Sequence, residues 1–397
     1  MNTVIPEKIG LSASRLSRIG TVMQGYVDEN KLAGLITFVA RYGKVVHFEC
    51  FGMMDLESAR PMRPDAIFRI YSMTKPITTV ALMMLYEQGL FQLKDPVTLF
   101  LPEFKEVKVW ADEGELIDPA REITIYDLLT HTAGLSYGDY PQTQIPVDKL
   151  YDEANLWEPG ISNQEMVQRI ASLPLIYQPG QRWFYSVATD VVGHLVEVIS
   201  GMPLDAYFEE KIFEPLGMED TAFYVSKAKL ERLTALYGPA KDGGLDLLDD
   251  PMTGEYARPP RLLSGGHGLV STVSDYFRFC RMLSNSGELD GIRLLGRKTV
   301  ALMTINHLPD SLIPIGWPSN IMHGYGFGLG VRVRVDDAQA GLLGSVDEYA
   351  WGGYASTSFF IDPQEELIAL LMPQFLPSGY YSIRGQFRVL VYQALVD

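Results

Sequence analysis

Ser72-Met73-Thr74-Lys75 sets a hydroxyl and an amine three residues apart at the mouth of an apolar run, a spacing that suits serine acyl transfer. Beyond Lys75, Ile77, Val80, Ala81, Met84 and Leu85 recur at helical intervals, which predicts a helix from Ser72 to Gln88 ended by Gly89. Ser72 is then its first residue or its cap. Residues three apart share a helix face, so both groups point into one small volume. A cation in the first turn faces the positive end of the helix dipole, against the usual charge preference. Local rules of this kind are broken at working sites. An amine held there in a dry pocket can accept the serine proton.

The spacing alone is a weak signal, because two common residues meet in it about once or twice by chance in a chain of this length. A second copy is present, Ser226-Lys227-Ala228-Lys229, followed by Leu230, Glu231 and Arg232. It reads as a solvated helix start capped by Ser226. A plain serine cap is open to Ser72 as well, so the chemistry depends on other residues joining it.

Tyr185-Ser186-Val187 precedes a helical run marked by Val191, Leu195, Val198 and Ile199. Its phenol, beside an ammonium, can carry the serine proton to a leaving group; as one of 21 tyrosines it can equally be a core aromatic. Trp351-Gly352-Gly353-Tyr354 stands beside a strand-like run, where glycines let a ligand approach the backbone. An N–H on that edge, with the Ser72 N–H, makes an oxyanion hole. Gly134-Leu135-Ser136-Tyr137-Gly138 matches a nucleophile elbow, but that device needs a strand before and a helix after. Here a helix-like run through Leu128 and Leu129 precedes it and Asp139-Tyr140-Pro141 follows, so it reads as a glycine-bounded turn. His131 reads as a hydrogen-bonded turn residue. No metal is expected at His194 or His267, and no cofactor anywhere.

The elements that must position these groups follow from patterning. With 397 residues, 47% hydrophobic and 21% charged, the chain is globular and long enough for two lobes. A net charge of -16 disfavours nucleic acid and anionic membrane. No apolar run reaches spanning length. Cys50 and Cys280 make no disulfide framework, and Ser12 caps an N-terminal helix with Leu16, Ile19, Met23 and Tyr26 on one face rather than an export signal, so a cytoplasmic location is expected.

Gly34 to Val39 and Lys44 to Phe48 read as a hairpin turned at Arg41-Tyr42-Gly43. Helical patterns and Pro/Gly-rich loops dominate from Ser72 to about Lys298. Residues from Tyr325 to Val335 alternate apolar and polar with the period of one half-buried strand. Strands at Ser356 to Ile361 and Leu367 to Met372 and a last helix through Phe387, Leu390, Val391 and Leu395 follow. The expected fold is α+β: residues 1–71 and 299–397 build a helix-flanked antiparallel sheet, and 72–298 a mostly helical domain.

In order and separation, Ser72-Met73-Thr74-Lys75, Tyr185-Ser186-Val187 and Trp351-Gly352-Gly353 resemble the three motifs of the serine β-lactamase and penicillin-binding-protein superfamily. Leu93-Lys94-Asp95-Pro96-Val97, His131-Thr132-Ala133-Gly134-Leu135, Ile212 to Met218 and Gly268 to Thr272 agree, so the resemblance spans nearly the whole chain. Within it the chain looks most like the family VIII carboxylesterases, relatives of class C β-lactamases. Where a class C enzyme carries Asn in Tyr-x-Asn, this chain has Val187; where it carries Lys-Thr-Gly, this chain has Trp351-Gly352-Gly353. The second change loses the cation that pairs with a substrate carboxylate.

The resemblance implies a β-lactamase-like fold with the active site between the two domains and a carboxylesterase acting on short-chain esters through an acyl-Ser72 intermediate. Lys75 and Tyr185 would transfer protons, either being the immediate base. The N–H groups of Ser72 and Tyr354 would form the oxyanion hole, and Trp351, Gly352, Gly353 and Val187 would border the substrate. A β-lactamase or D-Ala-D-Ala peptidase, an acyltransferase, and a non-catalytic binding protein are the alternatives. The expected partner is a small-molecule ester.

Overall fold

The computed structural model describes residues 2–111, 114–138, 145–241, 243–317 and 320–397. Helix α1 (Ala13–Asp28) begins where the Ser12 side chain accepts the Arg15 N–H, and it buries Leu16, Ile19, Met23 and Tyr26, as its periodicity predicts. Strands β1 (Gly34–Arg41) and β2 (Lys44–Asp55) follow. Tyr42 and Gly43, at φ of 52° and 68°, form the two-residue turn between them. Two positive φ angles in succession match the right-handed strand twist at such a turn. A short β3 (Arg60–Pro61) pairs with β2.

The middle of the chain is largely helical. Its elements that bear on the site are α2 (Thr74–Glu87), α3 (Ala188–Ser200) and α4 (Val273–Ser284). Sheet then returns as β4 (Tyr325–Phe327), β5 (Arg332–Arg334), β6 (Tyr349–Gly352), β7 (Ser358–Asp362) and β8 (Leu367–Pro373), before α5 (Ile383–Tyr392). These eight strands form one sheet in the order β4-β5-β6-β7-β8-β1-β2-β3, with every neighbour antiparallel. The β8–β1 pairing, from Leu35 opposite Pro373 to Arg41 opposite Leu367, stitches the two ends of the sequence together.

Each residue of β1 is buried. Alternate positions serve different layers: Leu35 and Val39 pack with α1 and α5, while Ile36 and Phe38 pack with the helical side. Coverage on both faces explains why β1 reads as a continuous apolar run rather than an alternation. Each of these fully buried side chains contributes about 1.5–3 kcal/mol.

Three local expectations change. The run from Tyr325 to Val335 is two strands, not one, with Tyr325 opposite Arg334 and Phe327 opposite Arg332. Gly330, at φ 78°, makes the turn possible, and a Cβ there would lie 2.2 Å from Thr79 Oγ1 of α2. The helix after the Ser-x-x-Lys pattern starts at Thr74, and Tyr71–Met73 is a separate 3₁₀ turn. Around Ser226 there is no capped α-helix: Ser226 lies on an exposed turn before a short 3₁₀ segment, Leu230–Arg232, whose cap is Lys229. Among the described residues no helix is long and apolar enough to cross a membrane.

Candidate active site

Phe68–Arg69 pairs with Val270–Ser271 in a separate two-stranded ladder just before the nucleophile candidate. Tyr71 then adopts φ 44°, in the left-handed region that a bulky side chain rarely enters. Its ring is held edge-on by Tyr256 at 6.4 Å and Tyr354 at 6.1 Å. This bend leads into the Tyr71–Met73 turn on which Ser72 sits, half-buried, ahead of α2. Met73 caps α2 without a side-chain bond, so the Ser72 hydroxyl is not consumed as a helix cap.

That hydroxyl accepts a hydrogen bond from the Tyr185 hydroxyl at 2.7 Å and one from Lys75 Nζ at 3.3 Å. Lys75 is 0% exposed on the first turn of α2. Its Nζ also donates to Tyr137 Oη at 3.0 Å and to the Gly266 carbonyl at 2.8 Å. It lies 4.6 Å from the centroid of the Tyr185 ring. Three neutral oxygens thus surround a buried amine, and the nucleophile has two candidate proton acceptors within hydrogen-bond reach.

Tyr185 is buried in an aromatic nest, with ring centroids of His131 at 4.9 Å and of Tyr137, Trp317 and Trp351 each at 5.3 Å. Val187 caps α3, is 0% exposed, and lies in the core behind the site, presenting no surface. Burial, helped by the Lys75 charge, pushes His131 well below its usual range, so it is a neutral imidazole. Its Nδ1 accepts the Ser186 N–H at 3.3 Å, the role of a hydrogen-bonded turn residue. Ser136 is buried with its hydroxyl on the Asp148 carboxylate, and Gly138 N–H returns to Ser136 Oγ at 3.0 Å. It braces a turn. Asp139-Tyr140-Pro141, which follow, lie outside the described residues.

Trp351, at the end of β6, packs on Tyr185 and Phe327. Gly352 and Gly353 continue the edge toward the nucleophile. A Cβ on Gly353 would sit 2.3 Å from both the Ile70 carbonyl and Thr357 Oγ1, so only glycine lets this edge close on the backbone before Ser72. Arg384 of α5 secures the following turn, donating to the carbonyls of Thr357 at 2.7 Å and Ser356 at 3.2 Å. The Tyr354 ring lies edge-on to that of Tyr71, the residue before Ser72, at 6.1 Å.

The structure therefore brings Ser72, Lys75 and Tyr185 into direct contact and sets Trp351 to Tyr354 along the same wall. Sequence reasoning missed Tyr137, the Gly266 carbonyl, Trp317 and Arg384. The glycines on either side of Tyr137, and those of Gly265-Gly266, were the only local signals that close backbone approaches occur there. Among the described residues no group of three or more His, Cys, Asp or Glu side chains could hold a metal.

A family model described as Beta-lactamase matches residues 19–392. An uncharacterized protein of Mycobacterium tuberculosis is 37% identical over 360 residues, covering 88% of each chain. Esterase EstB of Burkholderia gladioli is 31% identical over 399 residues, covering 97% of this chain and 96% of its own. Among solved structures, EstCE1, a hydrolase with promiscuous acyltransferase activity, matches with a TM-score of 0.80 at 26% identity, covering 97% of this chain and 99% of its own.

Proposed function

Because the chain belongs to the beta-lactamase family, with that family's fold, we propose that it is a serine carboxylesterase of the family VIII type, hydrolysing short-chain esters. The observation that carries the reading is the hydrogen-bonded set of Ser72, Lys75 and Tyr185 at 2.7 and 3.3 Å. The likeness to Esterase EstB supports the ester as substrate. The site would lie where segments 1–71 and 299–397, which supply Trp351 and Tyr354, meet segment 72–298, which supplies the nucleophile and its partners.

Ser72 Oγ attacks the ester carbonyl carbon and gives its proton to the Lys75–Tyr185 pair. The carbonyl oxygen, now negative, is held by the N–H groups of Ser72 and Tyr354. As the intermediate collapses, the C–O bond to the alcohol breaks and the pair returns the proton to the departing oxygen. Water then repeats the sequence on acyl-Ser72, releasing the carboxylic acid and restoring the serine. Lys75 and Tyr185 both reach the Ser72 hydroxyl, so either can take the serine proton directly.

Substrate choice follows from what the wall lacks. Trp351 supplies an apolar face where a lysine would pair with a carboxylate, and buried Val187 supplies no amide. Neutral esters lose nothing by this, whereas β-lactams and peptidoglycan stems lose a charge pair. A second reading, acyl transfer to an alcohol in place of water, is favoured by the promiscuous acyltransferase activity of EstCE1. The test is a parallel panel of p-nitrophenyl esters from acetate to octanoate and nitrocefin, with wild type and Ser72→Ala. Ester turnover that vanishes in Ser72→Ala is expected, with slower nitrocefin turnover. Nitrocefin turnover without ester turnover would move the assignment to a β-lactamase, and transesterified product with added alcohol would establish the second reading. Failure of an activated phosphonate to label Ser72 would leave only a binding role.

A further inference from the structure

We propose that Tyr137 is a positioning residue that aims the Lys75 amine at Ser72. The inference rests on the reading of Ser72 and Lys75 as nucleophile and proton acceptor. Lys75 Nζ has Gly266 O at 2.8 Å, Tyr137 Oη at 3.0 Å and Ser72 Oγ at 3.3 Å. A charged lysine has three N–H donors, one for each of these oxygens. A neutral amine keeps two N–H groups and one lone pair. The Gly266 carbonyl can only accept, so it takes one N–H. When the Tyr137 oxygen takes the second, the lone pair is left facing the Ser72 hydroxyl, the orientation that proton transfer needs. Without Tyr137 the amine can turn about Cε–Nζ and aim its lone pair elsewhere, and Val187, wholly buried and apolar, supplies no substitute.

The turn that carries Tyr137 is built to hold this hydroxyl in place. Gly134 and Gly138 lie at φ 83° and 85°, and a Cβ on them would sit 2.3 Å from the Tyr177 carbonyl and 2.1 Å from Asp152 Oδ1. Between them Ser136 points inward, bound to Asp148 and to the Gly138 N–H, and its carbonyl accepts the Val187 N–H at 3.5 Å. The Tyr137 ring lies 5.3 Å from that of Tyr185 and stacks on Trp157 at 6.3 Å. The Gly-Leu-Ser-Tyr-Gly stretch is thus an inverted elbow, with the serine as internal brace and the tyrosine turned into the site.

The experiment compares pH profiles of kcat/KM on p-nitrophenyl acetate, and rates of phosphonate labelling at Ser72, for wild type, Tyr137→Phe, Ser136→Ala and Ser72→Ala. The other groups near the lysine charge, His131, His267 and Tyr185, are left intact, with Asp190 beyond Gly266. Tyr137→Phe keeps the ring stack and removes one oxygen. It is expected to lower kcat/KM and the labelling rate together, by about tenfold to a hundredfold. The acid limb should move to lower pH, because the ammonium loses an acceptor while the neutral amine is still available. Ser136→Ala should give the same movement with a smaller loss, and it carries the test should Tyr137→Phe fail to fold. Unchanged rates, or a loss with an unmoved acid limb in the variant that folds, would overturn the role. Full activity in Ser72→Ala would instead overturn the parent reading and leave Tyr137 without a lysine mechanism to serve.

Discussion

Two stretches of this chain place a lysine three residues after a serine, and the fold gives them opposite surroundings. At Ser72 the partner Lys75 is 0% exposed, at the start of a buried helix, with neutral oxygens on Nζ and the Tyr185 hydroxyl on the serine at 2.7 Å. At Ser226 the serine is exposed on a turn, the Lys229 N–H bonds to the Ser226 carbonyl at 2.8 Å, and Lys229 Nζ lies 2.8 Å from the Asp220 carboxylate. A carboxylate engages the Lys229 ammonium at the surface, whereas the buried Lys75 amine meets only a hydroxyl, a phenol and a carbonyl oxygen. Spacing creates the opportunity, and burial with the right neighbours decides whether chemistry uses it.

The sharpest break in this comparison comes from paired alanine variants. Ser72→Ala should cut kcat on p-nitrophenyl acetate by at least about 10⁴-fold, the scale of removing a nucleophile. Ser226→Ala should stay within about twofold of wild type, since an exposed turn serine is a surface substitution. Active-site titration checks both. Next in size, Lys75→Met should lower kcat/KM by about 10²–10⁴-fold, the range of general acid–base catalysis, with a folded circular dichroism spectrum. A smaller effect is expected at the wall: Gly353→Ala forces a Cβ against Ile70 O and Thr357 Oγ1. It should cost about tenfold in kcat, read by single-turnover kinetics, and lower the melting temperature.

Lys229→Met is expected to move activity least. Burial raises the Asp220 carboxyl, but its bonds to Arg232 and Lys229 outweigh this and hold it below its usual range. A carboxyl held low adds stability above its unfolded pKa and loses it as the pH falls through the folded one. The variant should therefore lose up to about 1 kcal/mol at pH 7, and the difference should fade as the pH drops below 3.8. Urea titrations at both pH values measure it.

The legible parts of the fold were those with a strong period. Ser12 before Leu16, Ile19, Met23 and Tyr26 locates α1, and Leu367 to Met372 locates β8, because burial of one face repeats every 3.6 residues in a helix and burial of both faces gives an apolar strand. Reading Tyr325 to Val335 as one strand failed because alternation has the same period on both arms of a hairpin, and the deciding event is Gly330 closing on Thr79. The Ser226 cap failed because a serine followed by charged residues suits a turn as well as a helix start. At the site, Ser72, Lys75 and Tyr185 were legible through motifs, while the turn around Ser136 matched an elbow that its context forbids.

By itself, the sequence determined which residue types could do the chemistry and which strongly periodic segments, such as α1 and β8, are helix or strand, since hydroxyl, amine and phenol are fixed by residue type and periodicity is local. Only the tertiary structure decided who stands beside whom. Tyr137 reaches Lys75 from 62 positions away and Gly266 from 191, and Tyr185 reaches Ser72 across 113. No local pattern encodes those distances, because they are set by how the helical segment packs on a sheet made from both ends of the chain.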